Sequence, residues 1–503
     1  MPSSAAAFRL LGALTEMNFL VLRIKATLRI VRYSSPWILT LIFILASLVT
    51  SPVALPNQDL EFSDLAPHEQ LAEDILRQLI AFESTIERPD ETRKALEAMA
   101  SLLVDAGLPA EDVLLINPYP DGYGLVARYR GIATQGPLLT MAHIDVVTAE
   151  PDAWAFPPFS FGKKDGFYYG RGTQDNKTGV AHLVANFIRL KREGHVPNRD
   201  LIMALTGDEE TQQKVIEWLA TEGKDLIEAD YAINSDAGGG ELGDDGKPRA
   251  FWVQTSEKLY QTYRLSTTNP GGHSSLPRPQ NAINQLAKAL TRIADYQFPV
   301  ELNEGSRQML ERAASFADKR VAQDMLKVAQ SQDSDAAERL SQDPLMNAVI
   351  RTTCVVTKIE GGHAENALPR NASALVNCRI LPGTPPLAIE SRLRELVDDD
   401  GVAFESVYES VPSLPSVMPA ALMETIESLV NDRWQGVKVI LEMSTGATDG
   451  LFIRNAGIPV YGVAGWFMHP DDIRAHGLDE KVGIRQFHEG AEFWYRLLKK
   501  LSQ

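Results

Sequence analysis

Two cysteines, Cys354 and Cys378, stand among 503 residues. That count excludes a disulfide framework and a cysteine-based zinc site. The two could pair in an oxidising compartment, a point that spacing alone leaves open. Any metal must rest on histidine, aspartate and glutamate. Positive charge is also short: 49 lysines and arginines face 66 acids, giving a net charge of −17. Such a balance argues against nucleic acid or an anionic membrane surface as partner. There are no repeats and no low-complexity tracts. The apolar run at 37–49 falls short of the roughly 20 residues a spanning helix needs. What is present is an ordinary globular composition, 44% hydrophobic and 23% charged. The length exceeds one ordinary core and predicts two domains or more.

The amino terminus is the exception to the acidic balance. Arg9, Arg23, Lys25, Arg29 and Arg32 oppose the single acid Glu16. The uncharged run and then Thr50, Ser51, Pro52, Val53 and Ala54 follow. A basic stretch, a short apolar run and small residues read as an export signal over 1–54. Pro52 makes a poor cleavage site, so an uncleaved membrane anchor at 37–55 stays open. No cysteine follows the run, which excludes a lipoprotein anchor. The expected location is periplasmic or secreted.

From residue 70 apolar runs alternate with helical spacing. Strands are expected at 138–142, 201–205 and 231–234, with helices at 180–190 and 215–220. This is the rhythm of an α/β sheet with helices on both faces. It changes near Lys258. Strand, helix, two strands, helix, strand over 258–411 describe a small α+β, ferredoxin-like domain. A charged helical stretch at about 305–343 is an insertion within it. Proline-rich 412–419 reads as a return hinge. α/β signals then resume to the end. The expected plan is a catalytic domain in two parts, 55–257 and 412–503, interrupted by a lid at 258–411.

Acids and imidazoles fall just past the expected strand ends. His143 and Asp145 follow the first strand; Asp208, Glu209 and Glu210 the second; Asp236 the third. Asp175 ends a glycine turn, Gly170-Arg171-Gly172-Thr173-Gln174-Asp175, and His476 lies far along the chain. In open α/β sheets the carboxyl ends of strands form the ligand crevice. Neutral imidazole with carboxylate suits Zn²⁺ and similar dications. Asp175 reads as a carboxylate shared between two ions, the spacing of two-metal hydrolases. Alone, the motif favours a turn ending in a helix-capping aspartate; its neighbours reverse that reading. Asp145 is placed to accept the other ring N–H of His143. Glu209 and Glu210 are adjacent and cannot point the same way, so one can bind metal while the other works as a general base.

The order H-x-D, G-R-G-x-x-D-N-K, D-E-E, S-D and R-A-H-G-x-D-E resembles a known family. It is the di-zinc family of glutamate carboxypeptidase, aminoacylase, acetylornithine deacetylase and succinyl-diaminopimelate desuccinylase, with the carboxypeptidase S-type branch most similar. The resemblance spans about residues 70–500. It implies a zinc-exopeptidase-like α/β domain interrupted by a lid, and two Zn²⁺, with Co²⁺ or Mn²⁺ also suited. By position, Asp175 would bridge, His143 and Asp236 would complete one site, and Glu210 and His476 the other. Glu209 would be the general base, and the peptide bond after Asp175 is often cis in such proteins. In the lid, His273 of Gly271-Gly272-His273-Ser274-Ser275 would bind the developing oxyanion. Asn366 and Arg379 would bind substrate, Arg379 through its carboxylate, and the backbone at Gly446 would approach it. The implied activity is hydrolysis of short peptides or N-acyl amino acids. Many relatives form homodimers through the lid. A peptidase, an N-acyl amino acid hydrolase and a non-catalytic binding protein on the same fold are the alternatives.

Overall fold

Leu138–His143 and Leu201–Thr206 are buried at every position, the mark of strands covered on both faces. They pair in parallel, Leu138 opposite Leu201 and His143 opposite Thr206. Tyr231–Asn234 continues the parallel set on the other side, and Val460–Gly462 lies beyond it. In this computed structural model, residues 65–407, 410 and 412–503 are described. The export signal expected over 1–54 lies outside them. Among the described residues no helix is long and apolar enough to cross a membrane.

Ten strands form the large sheet, and it is mixed rather than purely parallel. The hairpin Val113–Tyr119 and Gly122–Tyr129 adds antiparallel strands at one end. Pro248–Glu257 lies toward the other end, between Val460–Gly462 and Gly239–Leu242. Strand alternation splits the core into two layers. Leu139, Met141, Ile202 and Ala204 pack with Val215, Ile216, Leu219 and Ile453. On the opposite face, helix Lys177–Arg192 packs against Pro67–Ala81 and Ile484–Leu501. The expectation of helices on both faces therefore holds.

A second sheet of four antiparallel strands contains Leu259–Thr268, Thr353–Gly361, Asn371–Ile380 and Val402–Ser406. Helices Ala282–Ala294 and Pro386–Val397 cover one face, with Leu286, Ile293, Leu393 and Val397 packed on Leu265 and Val376. Cys354 and Cys378 sit directly opposite one another in neighbouring strands and form a disulfide. Strand register thus supplies the proximity that spacing left open.

The helical insertion runs further than expected, from Glu304–Ala313 through Pro344–Ile350. It has its own core of Met309, Leu310, Met325, Val328 and Leu340. Its first helix packs on strand Lys438–Ser444 of the large sheet, where Arg312 Nη1 donates to the Val439 carbonyl at 2.8 Å. So the insertion leaves the lid in sequence but buttresses the other domain. Among the described residues Lys438–Ser444 pairs only with Pro248–Glu257, and a strand paired on one side needs cover.

Candidate metal centre

The parallel strands run the same way, with Thr206 beside His143 and Asn234 beside Met141, so the residues just beyond them share one rim. His143 is the last residue of its strand and is 1% exposed. Glu209 and Glu210 lie three and four residues past Thr206, and Asp236 two past Asn234. Asp175 arrives on the glycine loop. Gly170 and Gly172 hold φ of 151° and 91°, left-handed values that side chains resist. A Cβ on Gly172 would also meet the Lys177 side chain at 2.7 Å. The Asp175–Asn176 bond is cis, as the resemblance implied. His476 comes from the turn before Lys481–Gly483, with a φ of 62°.

His143, Asp175, Glu210, Asp236 and His476 converge. His143 Nε2 lies 2.9 Å from Asp175 Oδ1 and 3.3 Å from Asp236 Oδ1. His476 Nε2 lies 3.2 Å from Asp175 Oδ2 and 2.9 Å from Glu210 Oε2. The two oxygens of Asp175 therefore face two different histidines. Each trio places its donor atoms within 4.8 Å of one another. The donor set fits divalent ions: three carboxylates surround two imidazoles in a largely buried recess. His476 is pushed up to about 10 by its bonds to Asp175 and Glu210. Burial opposes charge on His143, yet Asp236, Asp145 and Asp175 hold its pKa well above the usual value. Burial raises the carboxyl pKa of Glu210 and Asp236.

Asp145 acts differently from expectation. Its backbone carbonyl, not its carboxylate, is nearer His143 Nδ1, at 3.1 Å against 3.6 Å. The carboxylate instead accepts the backbone N–H groups of Glu209 and Glu210, at 3.1 and 3.0 Å. The chain turns after the strand, so the carbonyl reaches the ring while the side chain fixes the acidic pair. Glu209 faces the same recess as His143 and Asp236. Gln213 Nε2 donates to its Oε1 at 3.1 Å, and burial holds its carboxyl well above the usual range. Asp208 points away. It accepts the backbone N–H of Lys214 at 2.7 Å and the Tyr119 hydroxyl, holding the next helix start.

Sequence reasoning missed Glu480. It is fully buried, and its carboxylate accepts N–H groups from Gly172, Gln174 and Asp175 at 3.0, 2.6 and 3.1 Å. Arg171 Nη1 donates to it at 2.7 Å. Successive N–H groups in a glycine loop form an anion-binding concavity, and that loop was the available signal. Asp449 was missed too: it lines the recess and accepts the Thr206 hydroxyl at 2.5 Å. His488, expected at a surface or helix end, is buried with Nε2 3.1 Å from the Tyr168 hydroxyl. It lies on the inward face of the last helix.

The lid residues sit apart from the five. His273 and Ala367 pair in a two-strand ribbon, with Asn366 beside them and its carbonyl accepting Ser274 N–H at 3.0 Å. His273 Nδ1 accepts Ser275 N–H at 3.1 Å. Arg379 lies in the four-stranded sheet, its guanidinium 4.5 Å from the Tyr260 ring centre. Among the described residues, no hydrogen bond or ion pair joins His273, Asn366 or Arg379 to the cluster. Gly446 is exposed, its N–H donating to Ser444 Oγ at 3.0 Å.

Residues 139–500 match peptidase family M20/M25/M40. The chain belongs to that family. It is 30% identical over 379 residues to the N-fatty-acyl-amino acid synthase/hydrolase PM20D1 of Homo sapiens, covering 72% of this chain and 74% of that one. It is 26% identical to the probable carboxypeptidase S-like 2 of Dictyostelium discoideum, covering 76% and 75%. The fold is also that of the M20 family metallo-carboxypeptidase Sso-CP2 from Sulfolobus solfataricus. There the TM-score is 0.65 at 19% identity, over 85% of this chain and 98% of that one. As a member of this family the chain is a metal-dependent hydrolase of amide or peptide bonds.

Proposed function

We propose that the protein hydrolyses the amide bond of N-acyl amino acids or short peptides that carry a free carboxylate. The observation that carries this reading is Asp175, with one oxygen toward His143 and the other toward His476. Two Zn²⁺ ions, one between His143, Asp175 and Asp236 and one between Asp175, Glu210 and His476, would polarise the scissile carbonyl and acidify the attacking water. Co²⁺ and Mn²⁺ suit the same donors. Glu209 is the general base. It takes the proton of the water and passes it to the leaving amine. Asp145 holds Glu209 and Glu210 by their N–H groups, so base and ligand keep their relative aim. His273, Asn366 and Gly446 receive the substrate, and Arg379 takes its carboxylate as the lid closes.

Similarity to the human N-fatty-acyl-amino acid synthase/hydrolase favours N-acyl amino acids, and similarity to the Dictyostelium probable carboxypeptidase favours peptides. An export signal at the amino terminus fits an enzyme acting on supplied rather than biosynthetic substrates. The test is mass-spectrometric product analysis of zinc-loaded protein with mixed dipeptides and N-acyl amino acids. Glu209→Gln should lower kcat by about 10²–10⁴ with zinc content unchanged. Near-normal turnover in that variant removes the mechanism.

A further inference from the structure

Besides the 304–350 excursion, the described chain leaves the large sheet for the lid near Glu257 and returns around 412–419. The first crossing is the step from Glu257, which ends a large-sheet strand, to Leu259, which begins a lid strand. The second is the irregular segment around 412–419. One side chain holds both. Arg454, 3% exposed, donates through Nη2 to Glu257 Oε1 and through Nε to Ser413 Oγ at 2.8 Å. The other oxygen of Glu257 accepts the Thr448 hydroxyl at 2.8 Å. At the far end of that loop, the Ser444 carbonyl accepts the Lys258 N–H at 3.0 Å. Loop 444–449 is thus tied to the first crossing at both ends. Its last residue, Asp449, accepts the Thr206 hydroxyl, three residues before Glu209.

We infer that Arg454 is a positioning residue: it clasps the two hinge strands, sets the lid's angle on the large sheet, and through Thr448 and Asp449 fixes the loop beneath Glu209. A buried ion pair is weak support for stability alone, because apolar residues of like volume do as well. What this pair adds is a fixed junction of three segments far apart in sequence. The kinetic consequence rests on the hydrolase reading above; the geometric one does not.

The test uses the full chain. Lys288→Cys on lid helix Ala282–Ala294 and Arg192→Cys on helix Lys177–Arg192 are both exposed and carry spin labels. The native cysteines are bonded to each other and take none. Electron–electron resonance should give one narrow distance distribution. Ser413→Ala removes the Arg454 bond to the second crossing, whose Ser416 and Val417 keep their bonds to the large sheet, and should widen that distribution. The double variant E257Q/R454M frees both crossings and should widen it further. In that variant kcat should fall about tenfold or more, with KM for carboxylate substrates rising, because small misplacements of catalytic groups are costly. Should the double variant not fold, Ser413→Ala carries the distance measurement alone. A lower Tm with an unchanged distance distribution in Ser413→Ala overturns the inference. If the protein hydrolyses no amide at all, the distances still decide the clasp, so the two failures are separable.

Discussion

Replacing Glu480 by glutamine keeps the shape of the side chain and removes one acceptor. The magnitude follows from its partners. One carboxylate oxygen accepts from Gln174 and Asp175, the other from Gly172 and Arg171. Whichever way the amide turns, its NH₂ faces two donors. Each buried donor left unpaired costs about 1–3 kcal/mol, with charged groups at the upper end. Breaking a buried ion pair costs about 3–5 kcal/mol, and the two estimates overlap rather than add. The expected loss is about 3–5 kcal/mol, a large share of the 5–15 kcal/mol typical of folded domains. Function should suffer separately. The Asp175 N–H is one of the four donors, so with the amide NH₂ on that side the Asp175 carboxylate loses its backbone anchor. Loss of a group that orients a ligand typically lowers metal affinity about 10–100-fold. Urea unfolding of chelator-treated protein measures the first effect, and calorimetric zinc titration the second. A Glu480→Gln variant with an unchanged midpoint and zinc affinity within about twofold of the parent would refute the reasoning.

Lys258 is fully buried, and burial, then Arg379, lowers its pKa to about 7. The unfolded chain binds more protons than the folded one between about 7 and 10.5, so stability rises with pH there, by up to about 5 kcal/mol. Denaturant unfolding of Lys258→Met should show that slope flattened; a slope equal to the parent's contradicts the burial argument. Arg379→Leu should raise KM for carboxylate substrates about 10–100-fold, the worth of one charged hydrogen bond, and leave it unchanged for carboxamide analogues. Equal effects on both in steady-state assays would remove Arg379 from carboxylate binding. Replacing Cys354 and Cys378 together by serine releases a cross-link over a sequence separation of 24, worth about 3–4 kcal/mol on chain entropy. Thermal unfolding checks it, and an unchanged Tm would show that the strand pairing alone holds the lid sheet.

Parallel strands made the metal centre legible. Residues 138–143, 201–206 and 231–234 are buried on both faces and read as continuous apolar runs. Ligands that follow such runs must share a rim, whatever their spacing in sequence. Glu209 and Glu210 are adjacent and were expected to point apart; in their turn Glu210 lies against His476 and Glu209 lines the recess with His143. Strand Pro248–Glu257 was not legible. It is mostly buried but contains Gln254, Thr255, Ser256 and Glu257. Glu257 is satisfied by Arg454 and Thr448, which lie about 190 residues further on. A buried polar strand looks like a loop until its partners are known. Glu480 failed for the same reason: an acid in a turn reads as solvated, and only the folded glycine loop supplies its four donors. The lid was legible in order but not in attachment. The first insertion helix packs on Lys438–Ser444, and no local pattern distinguishes that surface from the lid's own.

The turn 474–480 does two things at once, and this links the two trios more closely than a shared aspartate alone would. His476 supplies one trio with its imidazole, while Glu480, four residues on, grips the backbone of the loop that carries Asp175. The turn is itself held: Arg474 N–H donates to Gln174 Oε1 at 2.7 Å, and the Gln174 side-chain amide donates to the carbonyls of Asp472 and Lys481, both at 2.7 Å. Asp479 accepts the Ala155 N–H at 2.8 Å. His476 is exposed, at 55% of its side chain, and its ring is held at Nε2 alone, by Asp175 and Glu210. Its position comes from the turn, and the turn's position comes from Glu480 and Gln174. Displacing the glycine loop therefore moves Asp175 and His476 together, and the His143 trio feels the same displacement through the other oxygen of Asp175. The two trios behave as one mechanical unit, built where the glycine loop and the 474–480 turn hold each other by hydrogen bonds from the Glu480 and Gln174 side chains to backbone.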